Sequence, residues 1–429
     1  MMPQPLPQSP AFREAVDGLL RMHKYTVDGL DESEDADILR ESMNEPWCRL
    51  TAAERDRVTG LSKDLYTITD PPTLTPELIN PHAQQKLSEV YEAYVRREWD
   101  RSLELLRRWG KFVEPQLVAF LRARIWQAIG DQEVAALFFE QASKLDPENE
   151  HYQAMHLSVL KETDNPLARE IAEKLLNESE KHIPNLVIQA ADVLFGETAN
   201  LSEHDARPSY RRLINVLTPL LTRTKDEQGL EHPSDVSMIY LLLASCYRWL
   251  GENKEAYDCY SRVLALDPGD VPVRIARGIM VYDTSPSAIT DFEQVIKDNT
   301  NIVWPYYYLA HHYLKSSRME ECRVMCELAL SKPAPKRLQS DLFEFLGIAL
   351  TSLNYPVQAA QRAFEMAVRS DPSNERGREN LQRFHENMAA KSTRPIEWDR
   401  PSGAYVRNSW QQQMRANSSS SHRKLLVPA

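Results

Sequence analysis

The chain has 429 residues and a net charge of −11 at pH 7, which disfavours a nucleic-acid-binding surface because such a surface concentrates lysine and arginine. It contains no apolar run approaching the roughly 20 residues that cross a bilayer, and its amino terminus, MMPQPLPQSP, lacks the basic start and apolar core of a signal peptide. Its 5 cysteines form no disulfide framework, so we expect a cytoplasmic protein with neither a membrane nor a nucleic-acid partner.

The sequence of the N-terminal region predicts a disordered end followed by a small helical segment. Residues 1–10 are proline-rich, which predicts disorder, and residues 11–80 carry helical patterns. Thr51 followed by Glu54 forms a capping box, in which each side chain binds the other residue's backbone amide, and this predicts a helix from there to about Tyr66. The successive stretches EPW, LTAAERDRV and LSKDLYTITDPP resemble an N-terminal segment of some bacterial repeat proteins.

Residues 82–235 predict paired amphipathic helices with irregular spacing. The clearest pair turns at Gly130, and small and aromatic residues follow at steps of four and three along its second helix. Asp146–Pro147 ends this pair, because proline cannot continue a helix. Two polar, turn-rich stretches at 196–208 and 224–233 predict insertions between degenerate units.

Residues 236–373 are more regular, and one stretch shows the pattern best. A first helix, a turn at Gly251 and a second helix ended by proline follow one another within 29 residues of sequence, YLLLASCYRWLGENKEAYDCYSRVLALDP. The residues that carry the pattern are Tyr240, Leu243, Ala244, Tyr247, Ala256, Tyr260, Val263 and Pro268. This stretch resembles the tetratricopeptide repeat, a helix-turn-helix unit of about 34 residues.

The resemblance implies an all-α fold, an α-solenoid superhelix of stacked helix pairs. Residues 374–391 then predict a polar capping helix, which a solenoid needs because an unpaired end would expose its core. From residue 392 to residue 429 the chain carries few regular signals, and Ser418–Ser421 is low in complexity. We therefore expect 392–429 to be a disordered tail.

No sequence pattern indicates catalysis or a cofactor. A glycine-rich phosphate loop, GxSxG, HExxH and paired CxxC motifs are all absent. Cys322 and Cys326 share one helix face, with His311 and His312 nearby, and could suit a metal. They occupy packing positions of the repeat, however, and free cysteine packs as a small hydrophobic residue. We therefore expect no enzyme activity, no cofactor and no metal.

The resemblance also implies a concave groove, lined mainly by the first helix of each unit. Carried over position by position, the partner-binding residues are Arg124, Gln127, Leu241, Ser245, Arg248, Trp304, Tyr307, His311 and Lys315. Arginine and aromatic residues are enriched at interface hot spots, although tryptophan and tyrosine also pack between units. Co-chaperone repeats hold an acidic peptide end with lysine and asparagine where this chain has Leu241 and Ser245. That clamp is absent, and a mixed groove fits an extended peptide or a helix.

We therefore predict a non-catalytic scaffold or adaptor that binds a peptide or a helix of a partner protein in this groove. The alternative is a regulatory subunit or accessory domain of an enzyme complex, with residues 1–80 contacting the catalytic partner. Self-assembly through the convex face or the ends of the array is a third possibility. The sequence leaves the oligomeric state, the partner and its pathway open.

Overall fold

A computed structural model of the protein describes residues 8–69, 81–224, 232–297, 300–390 and 395–416. Every regular element in these ranges is helical, which confirms the predicted all-α class. The chain divides into two compact units, residues 1–193 and 194–429. Within the described ranges, no helix combines the length and the apolar character that crossing a membrane requires.

The first unit begins with a helical segment, α1 to α4, and continues with helix pairs. The bounds are α1 Pro10–Val27, α2 Glu34–Ser42, α3 Asn44–Arg49, α4 Ala52–Thr69, α5 Pro81–Val95, α6 Trp99–Trp109, α7 Pro115–Ile129, α8 Gln132–Leu145, α9 Glu150–Glu162, α10 Leu167–Asn177 and α11 Pro184–Thr198, which contains the boundary between the units. Helices α5 and α6 pack together, as do α7 and α8, and α8 packs on α9. Consecutive pairs therefore stack in chain order, as a solenoid requires.

Local sequence signals fix the ends of these helices. The Glu54 amide donates to the Thr51 hydroxyl at 3.3 Å, and the Thr51 amide donates to the Glu54 carboxylate at 2.9 Å, which confirms the capping box. Helix α4 then runs past Tyr66 to Thr69. Between α7 and α8, Gly130 has a φ of 104°, a left-handed conformation that glycine adopts without strain.

A buried charge cluster joins the N-terminal segment to the helix pairs. The carboxylate of Asp64 on α4 lies 3.1 Å from Nε of Arg107 on α6 and 3.2 Å from the guanidinium of Arg122 on α7. Arg122 also donates to the Thr67 hydroxyl at 2.7 Å. Burial raises the pKa of Asp64, and both arginines oppose that rise. The segment and the repeat-like helices thus share one buried set of charges.

The second unit consists of further helix pairs followed by two single helices. The bounds are α12 Glu203–Arg223, α13 Pro233–Leu250, α14 Asn253–Leu266, α15 Val271–Met280, α16 Ser287–Lys297, α17 Trp304–Lys315, α18 Met319–Leu330, α19 Lys336–Ser352, α20 Val357–Ser370, α21 Glu375–Ala389 and α22 Gly403–Ala416. From α13 onward each helix packs on the next, as far as α21. Gly251, with a φ of 81°, makes the turn between α13 and α14.

Residues 196–208 were predicted to form an insertion, but the second half of this stretch is helical in the structure. Helix α12 already begins at Glu203, because the Ser202 hydroxyl caps it by accepting from the Asp205 amide at 3.3 Å. Pro208 lies inside this helix despite lacking a backbone donor. Residues 225–231 lie outside the described residues, so the insertion at 224–233 stays a prediction.

Residues 392–429 were expected to be a disordered tail, but the described part of this region, residues 395–416, is ordered. Residues 395–402 precede helix α22, and both parts lie on the second unit. The physical reason is apolar burial, since Val406 and Trp410 are completely buried. Residues 392–394 and 417–429 lie outside the described residues. Helix α21 corresponds to the predicted capping helix.

Candidate ligand groove of the second unit

The residues predicted to bind a partner fall into two sets, one in each unit. Arg124 and Gln127 lie in the first unit on α7, where both are half-buried and Arg124 donates to the Gln127 side chain at 3.3 Å. Lys315 is exposed at the end of α17. The remaining members lie on α13 and α17 and are all buried: Leu241, Ser245, Arg248, Trp304, Tyr307 and His311. The larger set is therefore closed to solvent.

Residues 395–416 of the same chain contact part of this larger set, namely His311 through Pro401 and Arg248 through Trp410. We call residues 395–416 the C-terminal segment, and the surface of α13, α17, α19 and α21 beneath it the groove. Within the segment, Pro401, Val406 and Trp410 are buried, while the side chains of Glu397 and Asp399 remain exposed. The segment therefore presents one face to the groove and the other to solvent, as a bound peptide does.

Helix α21 binds the extended part of the segment through its main chain. The side-chain amide of Asn380 donates to the carbonyl of Asp399 at 2.8 Å and accepts from the amide of Asp399 at 3.0 Å. Arg383 donates to the carbonyl of Glu397 at 3.2 Å. These hydrogen bonds are made to backbone groups that every non-proline residue carries, so they do not depend on the side chains of the segment.

His311 on α17 provides a further main-chain contact. Burial lowers the pKa of His311 to about 4, so its imidazole is neutral at pH 7. A carbonyl oxygen can only accept, so Nε2 carries the proton and donates to the carbonyl of Pro401 at 2.9 Å. The hydroxyl of Tyr282 lies 2.7 Å from Nδ1 and 3.0 Å from the carbonyl of Tyr308, so its single proton is shared between two acceptors. The carbonyl of Pro401 therefore selects the tautomer of His311 that binds the segment.

A buried charge cluster forms the floor of the groove. Arg376 on α21 lies 2.9 Å from the carboxylate of Glu344 and 2.5 Å from that of Asp341, both on α19. Burial raises the pKa of both carboxyls, and Arg376 opposes that rise. Tyr307 donates to Asp341 at 2.8 Å, and Tyr405 of the segment donates at 3.2 Å. The charged groups thus belong to the groove, and the segment contributes a neutral hydroxyl.

Aromatic side chains of the segment occupy two further places in the second unit. The ring of Trp398 stacks on Phe364 of α20, with centroids 5.2 Å apart and planes 25° apart. The ring of Tyr405 lies under Arg376, 4.6 Å from the guanidinium carbon, a distance at which a cation is attracted to a ring face. These contacts add side-chain selectivity to the main-chain recognition.

The start of α22 fits closely beside the end of α15. The Ser402 hydroxyl caps the helix by accepting from the Tyr405 amide at 3.1 Å. A Cβ at Gly403 would overlap the carboxylate of Asp283, so a larger residue here would require that side chain to move. Asp283 also pairs with Arg407 at 3.3 Å. A carboxylate at a helix N-terminus is favoured by the helix dipole.

The cysteine pair considered for a metal lies elsewhere, on α18. Cys322 and Cys326 are both buried there, and burial raises the pKa of Cys326 well above its usual range. His311 is engaged with Pro401 and Tyr282, as described above. The described residues contain no cluster of three or more side chains suited to a metal ion.

Several residues of the groove escape detection from the sequence. Asn380, Arg383 and Arg376 lie on α21. The sequence predicts α21 as a capping helix, and the polar face of a capping helix is expected to face solvent. One signal was available in the tail, because residues 405, 406, 409 and 410 are spaced for one face of a helix that Ser402 can cap. That amphipathic pattern predicts a docked helix better than it predicts disorder.

Stacked helix pairs around a groove define a helical-repeat protein. The sequence profile of the tetratricopeptide repeat matches residues 239–270, which cover most of α13 and all of α14. The chain therefore carries a tetratricopeptide repeat, and the resemblance expected from its sequence is confirmed at this unit. Tetratricopeptide repeats in general mediate contacts between proteins.

Solved structures of other repeat proteins show only distant likeness. The MamA protein is 17% identical, with 43% of this chain and 91% of that chain covered and a TM-score of 0.33. The C-terminal part of a repeat-containing protein from Cytophaga hutchinsonii is 12% identical, covering 68% and 98%, with a TM-score of 0.34. The P58(IPK) tetratricopeptide-repeat domain is 13% identical, covering 73% and 100%, with a TM-score of 0.24. Such TM-scores support no conclusion about function. No curated protein matches the chain.

Proposed function

We propose that this protein is an adaptor whose groove binds a segment of a partner protein in place of its own C-terminal segment. The observation that carries the proposal is main-chain recognition, since Asn380, Arg383 and His311 bind backbone atoms of residues 397–401. A groove that binds backbone can accept other segments that take the same extended path and whose side chains fit the remaining contacts. Its use is therefore not restricted to residues of the same chain.

The charges of the groove also support exchange. Arg376, the partner of Asp341 and Glu344, belongs to α21 and not to the C-terminal segment. Removing one partner of a buried ion pair is strongly unfavourable, because it leaves an uncompensated charge. Departure of the segment avoids that cost. The cluster loses the hydroxyl of Tyr405 but keeps Arg376 and both carboxylates. Binding alone, without chemistry, suffices for this role.

A protein cut after folding tests the proposal. A protease recognition sequence inserted between Ala390 and Pro395 of the full-length chain allows the connection to α21 to be cleaved. We expect the fragment from residue 395 onward to remain bound, and a labelled synthetic peptide of residues 395–416 to replace it saturably. Fluorescence anisotropy follows the exchange, and circular dichroism reports whether the remaining helices persist.

A matched pair of variants makes the test specific to the groove. Asn380→Ala removes two hydrogen bonds to Asp399, each contributing about 1 kcal/mol, and should weaken the peptide by about 30-fold. His385→Ala changes an exposed residue of the same helix and should leave binding unchanged. A fragment that leaves only when the helices unfold would contradict the proposal, because the segment would then be a fixed part of the fold.

A further inference from the structure

Arg248 is a buried cation of the groove that has no carboxylate partner among the described residues. Its side chain on α13 is only 3% exposed. Its NH1 atom lies 3.5 Å from the Tyr260 hydroxyl, and its NH2 atom is buried without a hydrogen-bond acceptor. Arg122, the other buried arginine in the described residues, pairs with Asp64. Arg248 therefore stands out as an unneutralised charge.

Trp410 of the C-terminal segment lies where an acceptor would be expected. The guanidinium carbon of Arg248 is 5.0 Å from the centre of the Trp410 ring, so the ring offers a cation–π contact but no hydrogen bond. The indole nitrogen of Trp410 is itself buried without an acceptor. Buried polar groups are normally paired, and each exception calls for an explanation. Two unpaired donors at one contact indicate an imperfect fit.

We infer that the partner segment bound in this groove carries an aspartate or glutamate side chain that pairs with Arg248 at the place of Trp410. A carboxylate there would accept hydrogen bonds from Arg248 and neutralise its charge, which a ring cannot do. Among the groove cations that meet the segment, Arg376 is paired with Asp341 and Arg383 with Glu379. Arg248 is therefore the position at which a carboxylate is missing. This inference rests on the proposed function and specifies the chemistry of its ligand.

The cleaved full-length protein described above provides the assay. Two unlabelled peptides of residues 395–416, carrying Trp410→Glu and Trp410→Gln, compete with the labelled natural peptide. The two side chains have nearly the same size and differ in charge, so the comparison removes the effect of losing the indole ring. We expect the Glu peptide to bind at least tenfold more tightly than the Gln peptide at low ionic strength.

Variants at position 248 decide whether this preference comes from the arginine. In Arg248→Met the preference for Glu should vanish or reverse, because a buried carboxylate would then lack a counter-charge. In Arg248→Lys, which retains the positive charge and keeps the test valid if the Met variant is unstable, a preference for Glu should remain. Circular dichroism and thermal unfolding serve as the folding control for both variants.

The outcomes separate the inference from the proposed function. Failure of the natural peptide to exchange would overturn the proposed function and this inference with it. Exchange of the natural peptide with equal binding of the Glu and Gln peptides, or with binding of neither, would overturn the inference alone. A preference for Glu that persists unchanged in Arg248→Met would also overturn it, because a group other than Arg248 would then bind the carboxylate of the peptide.

Discussion

Each unit binds a segment that lies outside its helix pairs. The two units differ in whether that segment supplies a charged side chain to the buried charge cluster beside it. In the first unit, the N-terminal segment supplies Asp64 while the helix pairs supply Arg107 and Arg122. In the second unit, both carboxylates and the arginine of the cluster belong to α19 and α21. Loss of the N-terminal segment would strand the buried Arg122 and the half-buried Arg107, whereas loss of the C-terminal segment would strand none of the cluster.

This difference distinguishes a segment that belongs to the fold from one that resembles a ligand. Shared buried charges make two parts energetically inseparable, because either part alone is left with an unpaired ion. Main-chain hydrogen bonds and apolar anchors can instead be exchanged for water or for another peptide at moderate cost. The following predictions test this comparison, from the largest expected effect to the smallest.

Asp64→Ala should destabilise the N-terminal segment by about 3–5 kcal/mol, because it leaves Arg122 buried without a counter-charge. Hydrogen exchange with mass spectrometry measures this as lost protection of α1 and α4. Glu92→Ala is the matched control, since it breaks a pair with Arg96 in which both side chains are exposed and which should contribute no more than about 1 kcal/mol. Equal effects of the two changes would remove the basis of the comparison in the first unit.

Trp410→Ala should weaken docking of the C-terminal segment by about 3 kcal/mol, through loss of a completely buried ring. We expect hydrogen exchange to accelerate in residues 395–416 while α17 to α20 keep their protection. A uniform loss of protection across those helices would show that the segment is as integral as α4, and would contradict the distinction between the units.

Asp131 makes the first unit sensitive to pH. Burial first, and then the nearby charge of Asp17, raise the pKa of Asp131 to about 6. Between about pH 4 and 6 the folded protein therefore holds a proton that the unfolded chain has lost, so stability falls as the pH rises through this window. The expected loss is about 2 kcal/mol after allowance for partial exposure.

Asp131→Asn should remove the contribution of this residue to the pH dependence and should stabilise the first unit at pH 7.5. Thermal unfolding at a series of pH values between 4 and 7.5 measures both effects. The exposed-site change Asp100→Asn should retain the slope of the natural protein. A slope that survives in Asp131→Asn would assign the dependence to another group.

Gly403→Ala should weaken the C-terminal segment by about 1–2 kcal/mol, because the added methyl group overlaps the carboxylate of Asp283. In the exchange assay this corresponds to a peptide roughly tenfold weaker. Shortening the opposing side chain with Asp283→Ala should restore part of the loss. The neighbouring change Ala404→Ser lies on the exposed side and should have little effect.

The helix pairs could be predicted because their signals are local. The helical spacing around Tyr240, the turn at Gly251 and the stop at Pro268 lie within one stretch of sequence, and each acts through the backbone of its neighbours. The capping box at Thr51 and Glu54 is equally local. Such signals can be read from the sequence without knowledge of any tertiary contact.

The filling of the groove could not be predicted in the same way, because it depends on contacts between distant residues. His311 and Pro401 are 90 positions apart in the sequence, and neither residue type indicates the other. The spacing of the repeat placed His311 on α17, but it did not connect His311 to the segment that contacts it through Pro401. Trp398 and Trp410 gave the available hint, since large aromatic residues are unusual in a disordered tail.

The short connection between α21 and the C-terminal segment has a quantitative consequence for any competitor. Only residues 391–394 separate Ala390 from Pro395, and a short tether holds its ligand at an effective concentration on the order of 1 mM. A partner that binds the empty groove no better than the segment would therefore need about 1 mM to displace half of it. A partner that binds about a thousandfold more tightly would need about 1 µM. The tether thus acts as a concentration threshold that excludes weak competitors and admits a ligand matched to the site.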